Sequence, residues 1–548
     1  MKKFNILPAV FALVALMPVT LFAQMTESET VDDGQKTVWM QRFNADESCF
    51  TDIGFDEFFE SDGVGYSALM DYCTGADDQV KKDASQSLIG KVVDYAVGTK
   101  SVKDDAIVKR VMITYIDSHD KSPLNPYLVS QFKKFNDEED IYTLVKYIDN
   151  PDLADVDVRT MAELPNFSMY ILKRYDVKNG VLLPKGAFAY AIGRQKMTDM
   201  EPVIKGWLRG ADNMTKLDIY TALYDLGNPE SLPLVKSGAK KLYRKKDAAL
   251  KIGGMKLLAA VEGKNALPYL YKSLKNKNRE VRRTALDLMV PYADQQMCAL
   301  VVKKYAKEDA VADVAKWLGD VKDETHVDYL IGLLSSQDKL TVEEAIRALC
   351  KIGNPAGIKA LVPMIGGKYQ EVIQEAMLAS KADITPALAE ALRGTDVQKL
   401  AVLKLLQKRA YLKLRSQVMN MLDYVNNQDI RDAAFKVLKN ISTPGDSEFL
   451  KDLLERCDDK YVSDVQDAFI AAMAKAQSSA KDDVVGKMKY TKENVLPRFY
   501  KVFASFGTDA SVRKLVEYHN QGIEPGQVRE ALKTVDADRF KDILNEMN

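Results

Sequence analysis

Apolar residues recur along this chain at helical spacing, in short runs broken at regular intervals by polar turns. Leu267, Leu270, Tyr271 and Leu274 stand at i, i+3, i+4 and i+7. After the break Lys275-Asn276-Lys277-Asn278 the stripe resumes as Val281, Ala285, Leu288 and Met289, at i, i+4, i+7 and i+8. Ile430, Ala433, Ala434, Val437 and Leu438 repeat it. Each unit therefore predicts two short amphipathic helices. Gly227-Asn228-Pro229, Gly353-Asn354-Pro355, Thr443-Pro444-Gly445 and Gly507-Thr508-Asp509 supply turn chemistry between units.

The units keep a beat. The first apolar residue expected to be buried in each second helix falls at Leu128, Val158, Phe188, Ile219, Leu250, Val281, Val311, Val342, Val372, Leu400, Ile430, Val462, Val495 and Val528. Successive intervals run from 28 to 33 residues, with a mean near 31. Weaker units are expected around Val80 and Ile107. A helix pair this small cannot close its own core, so its stripes must be buried by neighbouring pairs. The predicted fold is all-α. It is an α-solenoid of about 14–16 helix pairs, one continuous right-handed superhelix with a concave face, over residues 79–548.

One stretch carries a family resemblance. Glu262-Gly263-Lys264-Asn265-Ala266-Leu267-Pro268-Tyr269-Leu270, followed by Asn276 through Val281-Arg282-Arg283-Thr284-Ala285-Leu286, resembles a HEAT-like repeat of the short phycobilisome-lyase type. Partial copies occur at Gly353-Asn354-Pro355-Ala356 through Leu361-Val362-Pro363 and at Asp429-Ile430-Arg431-Asp432-Ala433-Ala434. The resemblance covers roughly residues 80 to 545 and implies a solenoid. Its family includes scaffolds, adaptors and a few enzymes, so it implies little about function. Several units lack the Val-Arg pair (Val311-Ala312, Val372-Ile373), so no Asp–Arg ladder is expected along the whole array.

The N-terminal residues read differently. Lys2 and Lys3 precede the uncharged run Ile6 to Val19, and Leu21-Phe22-Ala23 offers a cleavage site before Gln24. That is the pattern of a secretory signal peptide over residues 1–23, which sets the expectation of a periplasmic or secreted protein. The first cysteine is Cys49, which argues against a lipoprotein anchor, and no later apolar run is long enough for membrane insertion. Residues 24–78 carry 14 acidic side chains against Lys36 and Arg42, with Phe43, Phe50, Phe55, Phe58, Phe59 and Tyr66. They are expected to form an acidic N-terminal cap over the first repeat, the alternative being a detachable acidic arm.

Composition narrows the chemistry. The chain has 548 residues, 47% apolar and 28% charged, with 77 basic and 78 acidic residues. No overall charge excess points to nucleic acid. His119, His326 and His519 stand apart in sequence, and neither a zinc spacing, a phosphate loop nor a nucleophile elbow is present. No cofactor and no enzymatic activity are expected. Cys73, Cys298, Cys350 and Cys457 share no metal or redox spacing with Cys49 and are mostly expected to be buried, inert thiols. The acidic run Asp137-Glu138-Glu139-Asp140 reads as a solvated helix start.

Charge placement is the remaining signal. Residues 236–307 hold 18 Lys or Arg against 5 acids. Lys245 and Lys246, then Lys275 and Lys277, then Lys303, Lys304 and Lys307 recur about one unit apart. Equivalent positions in stacked repeats share an edge, so these lysines are the candidate binding residues for a partner protein with an acidic surface. The alternative is a merely solvated edge. Lysines without interleaved aromatics argue against single-stranded nucleic acid. Tyr220, Tyr224, Tyr243, Tyr269, Tyr271, Tyr292 and Tyr305 raise a weaker alternative: glycan binding, as an accessory module of an envelope carbohydrate-processing system.

Overall fold

The structure, a computed structural model, describes residues 33–45, 54–60, 62–165, 184–307 and 309–547. The expected leader, Cys49 and Phe50 lie outside them. The chain divides into two compact units, one ending at Tyr269 and the other beginning at Leu270. Among the described residues every regular element is a helix.

Turn residues set where the helices begin. Asp247 accepts from the backbone N–H of Leu250, Asn278 from Val281, Asp338 from Thr341 and Asn427 from Asp429. The polar breaks visible in the sequence are thus N-caps, each satisfying a donor that the first helical turn leaves orphaned. Apolar faces then stack helix upon helix, every second one touching the next. In the first unit Lys185–Arg194 packs on Asn213–Asp225, which packs on Ala248–Glu262. In the second unit Arg279–Met289, Ala310–Val321, Lys339–Ile352, Gln370–Ala379, Asp396–Lys408, Gln428–Ile441, Val462–Met473, Tyr500–Phe506 and Pro525–Leu532 form one such series. A parallel series includes Ser447–Arg456, Ser478–Gly486, Asp509–Asn520 and Lys541–Leu544. Alternate helices stacking in two layers make an α-solenoid.

Polar pairs carry the same beat. Lys146 binds Asp117 29 residues away, Ser380 the Cys350 carbonyl at 30, Lys413 Asp383 at 30, Arg194 Glu163 at 31 and Asn427 Asp396 at 31. Side chains one period apart are spatial neighbours, so the sequence interval is the repeat of the fold.

The register holds with local shifts. Val281, Val342, Ile430 and Val528 are buried, as are all five marks from Leu128 to Leu250. Val311, Val372, Leu400 and Val462 are half-buried, and Ala312, Ile373, Ala401 and Val465 are buried in their place. Val495 lies in the 3-10 segment Glu493–Phe499, ahead of the helix Tyr500–Phe506 that occupies the stacking position. No repeat starts at Val80. That residue is 75% exposed at the start of a 21-residue helix, Gln79–Thr99, which buries Leu88, Ile89, Val92 and Val93 instead.

Within the acidic segment, Asp33–Ala45 packs on Val64–Gly75, where Trp39 lies against Gly65. A Cβ on Gly65 would stand 2.6 Å from the Trp39 ring. Trp39 also stacks on Phe58, while Phe55 and Phe59 stack on Tyr95. Among the described residues of this segment Phe43, Phe58 and Tyr66 are buried while Asp62, Asp77 and Asp78 are exposed; Arg42 pairs with Glu57 and Arg110 with Asp62.

The acidic run at 137–140 is not simply solvated. Asp140 is buried, and Lys109 reaches it at 2.9 Å and Asp137 at 2.7 Å. Helix Val102–Ser118 delivers that ammonium from across the repeat, a contact that no local pattern shows.

Candidate interaction site

The fold brings Cys298 to the pair Asp323 and His326. His326 contacts the Asp323 carboxylate through Nδ1, and Asp323 lies against the Cys298 thiol. The arrangement is not a nucleophile with its base. Burial, aided by Asp323, pushes the Cys298 thiol up to about 12, and the imidazole is engaged by the acid rather than by sulfur. Burial likewise raises Cys73, Cys350 and Cys457, and all four described cysteines are free and buried. His519 is buried at the end of Asp509–Asn520 with its Nδ1 unpartnered. Among the described residues no cluster of His, Cys, Asp or Glu is suited to a metal, and no helix is long and apolar enough to cross a membrane.

The seven lysines take equivalent places in the repeat. In the first unit Lys245 and Lys246 lie on the turn between Leu232–Tyr243 and Ala248–Glu262. In the second unit Lys275 and Lys277 lie on the turn that precedes Arg279–Met289. Lys303 and Lys304 end Gln295–Tyr305, and Lys307 follows before Ala310–Val321. All seven are exposed, and none makes an ion pair among the described residues.

Neighbouring basic residues behave otherwise. Lys236 and Lys240 pair with Glu262, and Lys251 donates to the Tyr243 carbonyl. Among the described residues the turn lysines belong to the part of the basic region that makes no ion pair, as do Lys241, Arg244, Lys256, Lys264 and Lys272. Lys245, Lys246, Lys275, Lys277 and Lys307 precede helix N-termini, whose partial positive charge would favour an anion by about 0.3–1 kcal/mol per contact, whereas Lys303 and Lys304 lie in the last turn of Gln295–Tyr305.

Sequence reading missed what fixes these turns in the second unit. Arg282 is buried and reaches Asp309, 27 residues on, while Arg279 and Arg283 converge on the buried Asp313 at 2.8 and 3.1 Å. The Val281-Arg282 pair was the available signal. Elsewhere the ladder changes hands: Arg431 lies over the Tyr461 ring, and Lys460 and the Tyr461 hydroxyl take Asp432. The tyrosines singled out for glycan binding are partly enclosed. Tyr220 and Tyr243 are buried and the other five are half-buried, with Tyr271 stacked on Tyr305.

Residues 306–381, which include Ala310–Val321 and Lys339–Ile352, match the family model described as HEAT repeats. That stretch is similar to HEAT repeats. No curated protein matches the chain in sequence. Among solved structures it is similar to Kap121p bound to Pho4p at 13% identity, covering 94% of this chain and 55% of that one, with a TM-score of 0.27. UNC-45 from Drosophila melanogaster is similar at 11% identity, covering 93% of this chain and 100% of that one, with a TM-score of 0.27. The chain thus spans about half the length of Kap121p.

Proposed function

We propose that this protein is an exported, non-enzymatic HEAT-like repeat scaffold of the bacterial envelope. In this reading it binds another protein through its lysine-bearing turns. The proposal takes residues 1–23 as a cleaved leader, 24–78 as a cap and 79–548 as the array. The observation that carries it is the set of seven exposed lysines at or beside equivalent turns that make no ion pair among the described residues. Repeat surfaces are well suited to binding extended partners, and like-charged clusters steer an oppositely charged partner toward contact.

The experiment compares the wild-type chain with Lys245→Glu/Lys246→Glu/Lys275→Glu/Lys277→Glu as bait in envelope extract, with mass spectrometry of what is retained. A specific protein held by the wild type, released by salt and lost from the variant is expected, with unchanged helicity by circular dichroism. Retention of the same protein by both baits, at all salt concentrations, would remove the lysines from the reading. Recovery of the chain from the cytoplasmic fraction with residues 1–23 still attached would remove export.

A further inference from the structure

Two lysine turns of the second unit are locked together from beneath. Arg282 donates from one terminal nitrogen to the Asn276 and Lys277 carbonyls, at 2.9 and 3.0 Å, and from the other to the Asp309 carboxylate. One buried guanidinium thereby holds the turn of Lys275 and Lys277 against the turn of Lys307. The contact diverts Asp309, which stands at the N-cap of Ala310–Val321 yet caps no backbone N–H with its side chain. Asn278, in the corresponding place on Arg279–Met289, does cap. Three guanidinium groups meet two carboxylates here. The acids next along, Asp338 and Glu344, are engaged by Thr341 and Arg347. Lys275, Lys277 and Lys307 lie on the two turns so joined, Lys303 and Lys304 end the helix before the second, and none of the five makes an ion pair among the described residues.

We propose that this double turn binds an extended acidic polypeptide segment, a run of Asp and Glu side chains laid across both turns. The inference rests on the scaffold reading and gives the partner its form. Packed helices lie about 8–10 Å apart, and an extended chain advances about 3.3 Å per residue, so roughly three residues cross from one turn to the next. Ammonium groups on flexible stems act as point charges and follow such a strand without demanding a fixed geometry. Nucleic acid fits less well, because Tyr271 and Tyr305 stack on each other rather than offering faces to bases.

The test is fluorescence anisotropy of fluorescein-labelled deca-glutamate with the full chain. Saturable binding is expected, weakening at least about tenfold between about 0.05 M and 0.3 M salt as screening shortens. It should weaken at least about tenfold in Lys275→Gln/Lys277→Gln/Lys304→Gln/Lys307→Gln and far less in Lys381→Gln/Lys408→Gln/Lys439→Gln/Lys475→Gln, which removes the same charge elsewhere. Arg282→Lys keeps the charge and cannot span both turns, so a loss of at least about threefold with unchanged helicity is expected.

Equal losses in the two quadruple variants, or tighter competition by polyphosphate of equal charge, would overturn the proposal. Absence of peptide binding while the envelope partner still depends on the lysines would overturn the extended form and leave the scaffold reading standing. Failure of both experiments would overturn both.

Discussion

At the scale of single residues, close helix approach depends on missing side chains. A Cβ on Gly193 would stand 2.7 Å from the Ala222 backbone, and one on Gly319 would stand 2.6 Å from the Ala348 backbone. Both glycines lie where one stacking helix crosses the next. Gly319→Ala is therefore expected to destabilise by roughly 1–3 kcal/mol through overpacking, measured by chemical denaturation. Two buried carboxylates give opposite pH responses. Burial pushes Asp140 up to about 6 despite Lys109, so the folded protein binds that proton more tightly than the unfolded chain. Its effect on stability is least unfavourable below the ordinary carboxylate range and worsens as pH rises toward 6. Lys205, Ser231 and Asn228 hold Glu201 down at about 2, so its contribution is full above the ordinary range and is lost as pH falls. Urea titrations from pH 2 to 7 should show Asp140→Asn removing a falling slope between the ordinary carboxylate range and about 6, whereas Glu201→Gln should flatten the loss of stability as pH falls from the ordinary range toward about 2.

At the scale of the helix, most of the stacked elements are too short to be stable by themselves. Arg279–Met289 has 11 residues, short of the length at which an isolated helix persists in water, so packing supplies most of its stability. Val281 is fully buried at its first turn. Val281→Asp places a carboxylate without a partner between stacked helices and is expected to cost roughly 3–5 kcal/mol. Because Ala310–Val321 rests on the same helix, hydrogen exchange should accelerate in both, not in Arg279–Met289 alone. Protection lost only within the mutated helix would contradict the stacking account. The sequence made these helices legible through period and N-cap. It did not make legible which neighbouring residue meets the core, as the exchange of Val311 for Ala312 illustrates, because one residue of helical rotation depends on the packing partner.

At the scale of the whole molecule, contacts join each repeat mainly to its neighbours, and the chain divides into two compact units. Such chains unfold by sections rather than all at once. Thermal unfolding followed by circular dichroism and by tryptophan fluorescence should therefore give non-coincident transitions. The described tryptophans, Trp39, Trp207 and Trp317, report on three separate places. Superimposable curves from both probes would show one cooperative unit. The lysine reversals, lying outside every buried stripe, should leave both curves nearly unchanged.

The sequence by itself determined the repeat, its length near 31 residues, the helical class and the turns on which the lysines sit. Each follows from local rules: apolar period, capping residues, and Gly or Pro at breaks. Only the tertiary structure decided which charges are spent. Lys236 and Lys240 find Glu262, and Asp140 is buried against Lys109, while the turn lysines keep their charge to the solvent. It also brought Arg282 to Asp309 and set Cys298 beside Asp323 and His326. Arg282 and Asp309 are 27 residues apart and Cys298 and Asp323 are 25 apart, while Asp323 and His326 are near in sequence. Neutralisation depends on distances of a few ångströms between stacked helices, and a linear pattern carries the interval between residues without the rotation that decides whether two side chains meet.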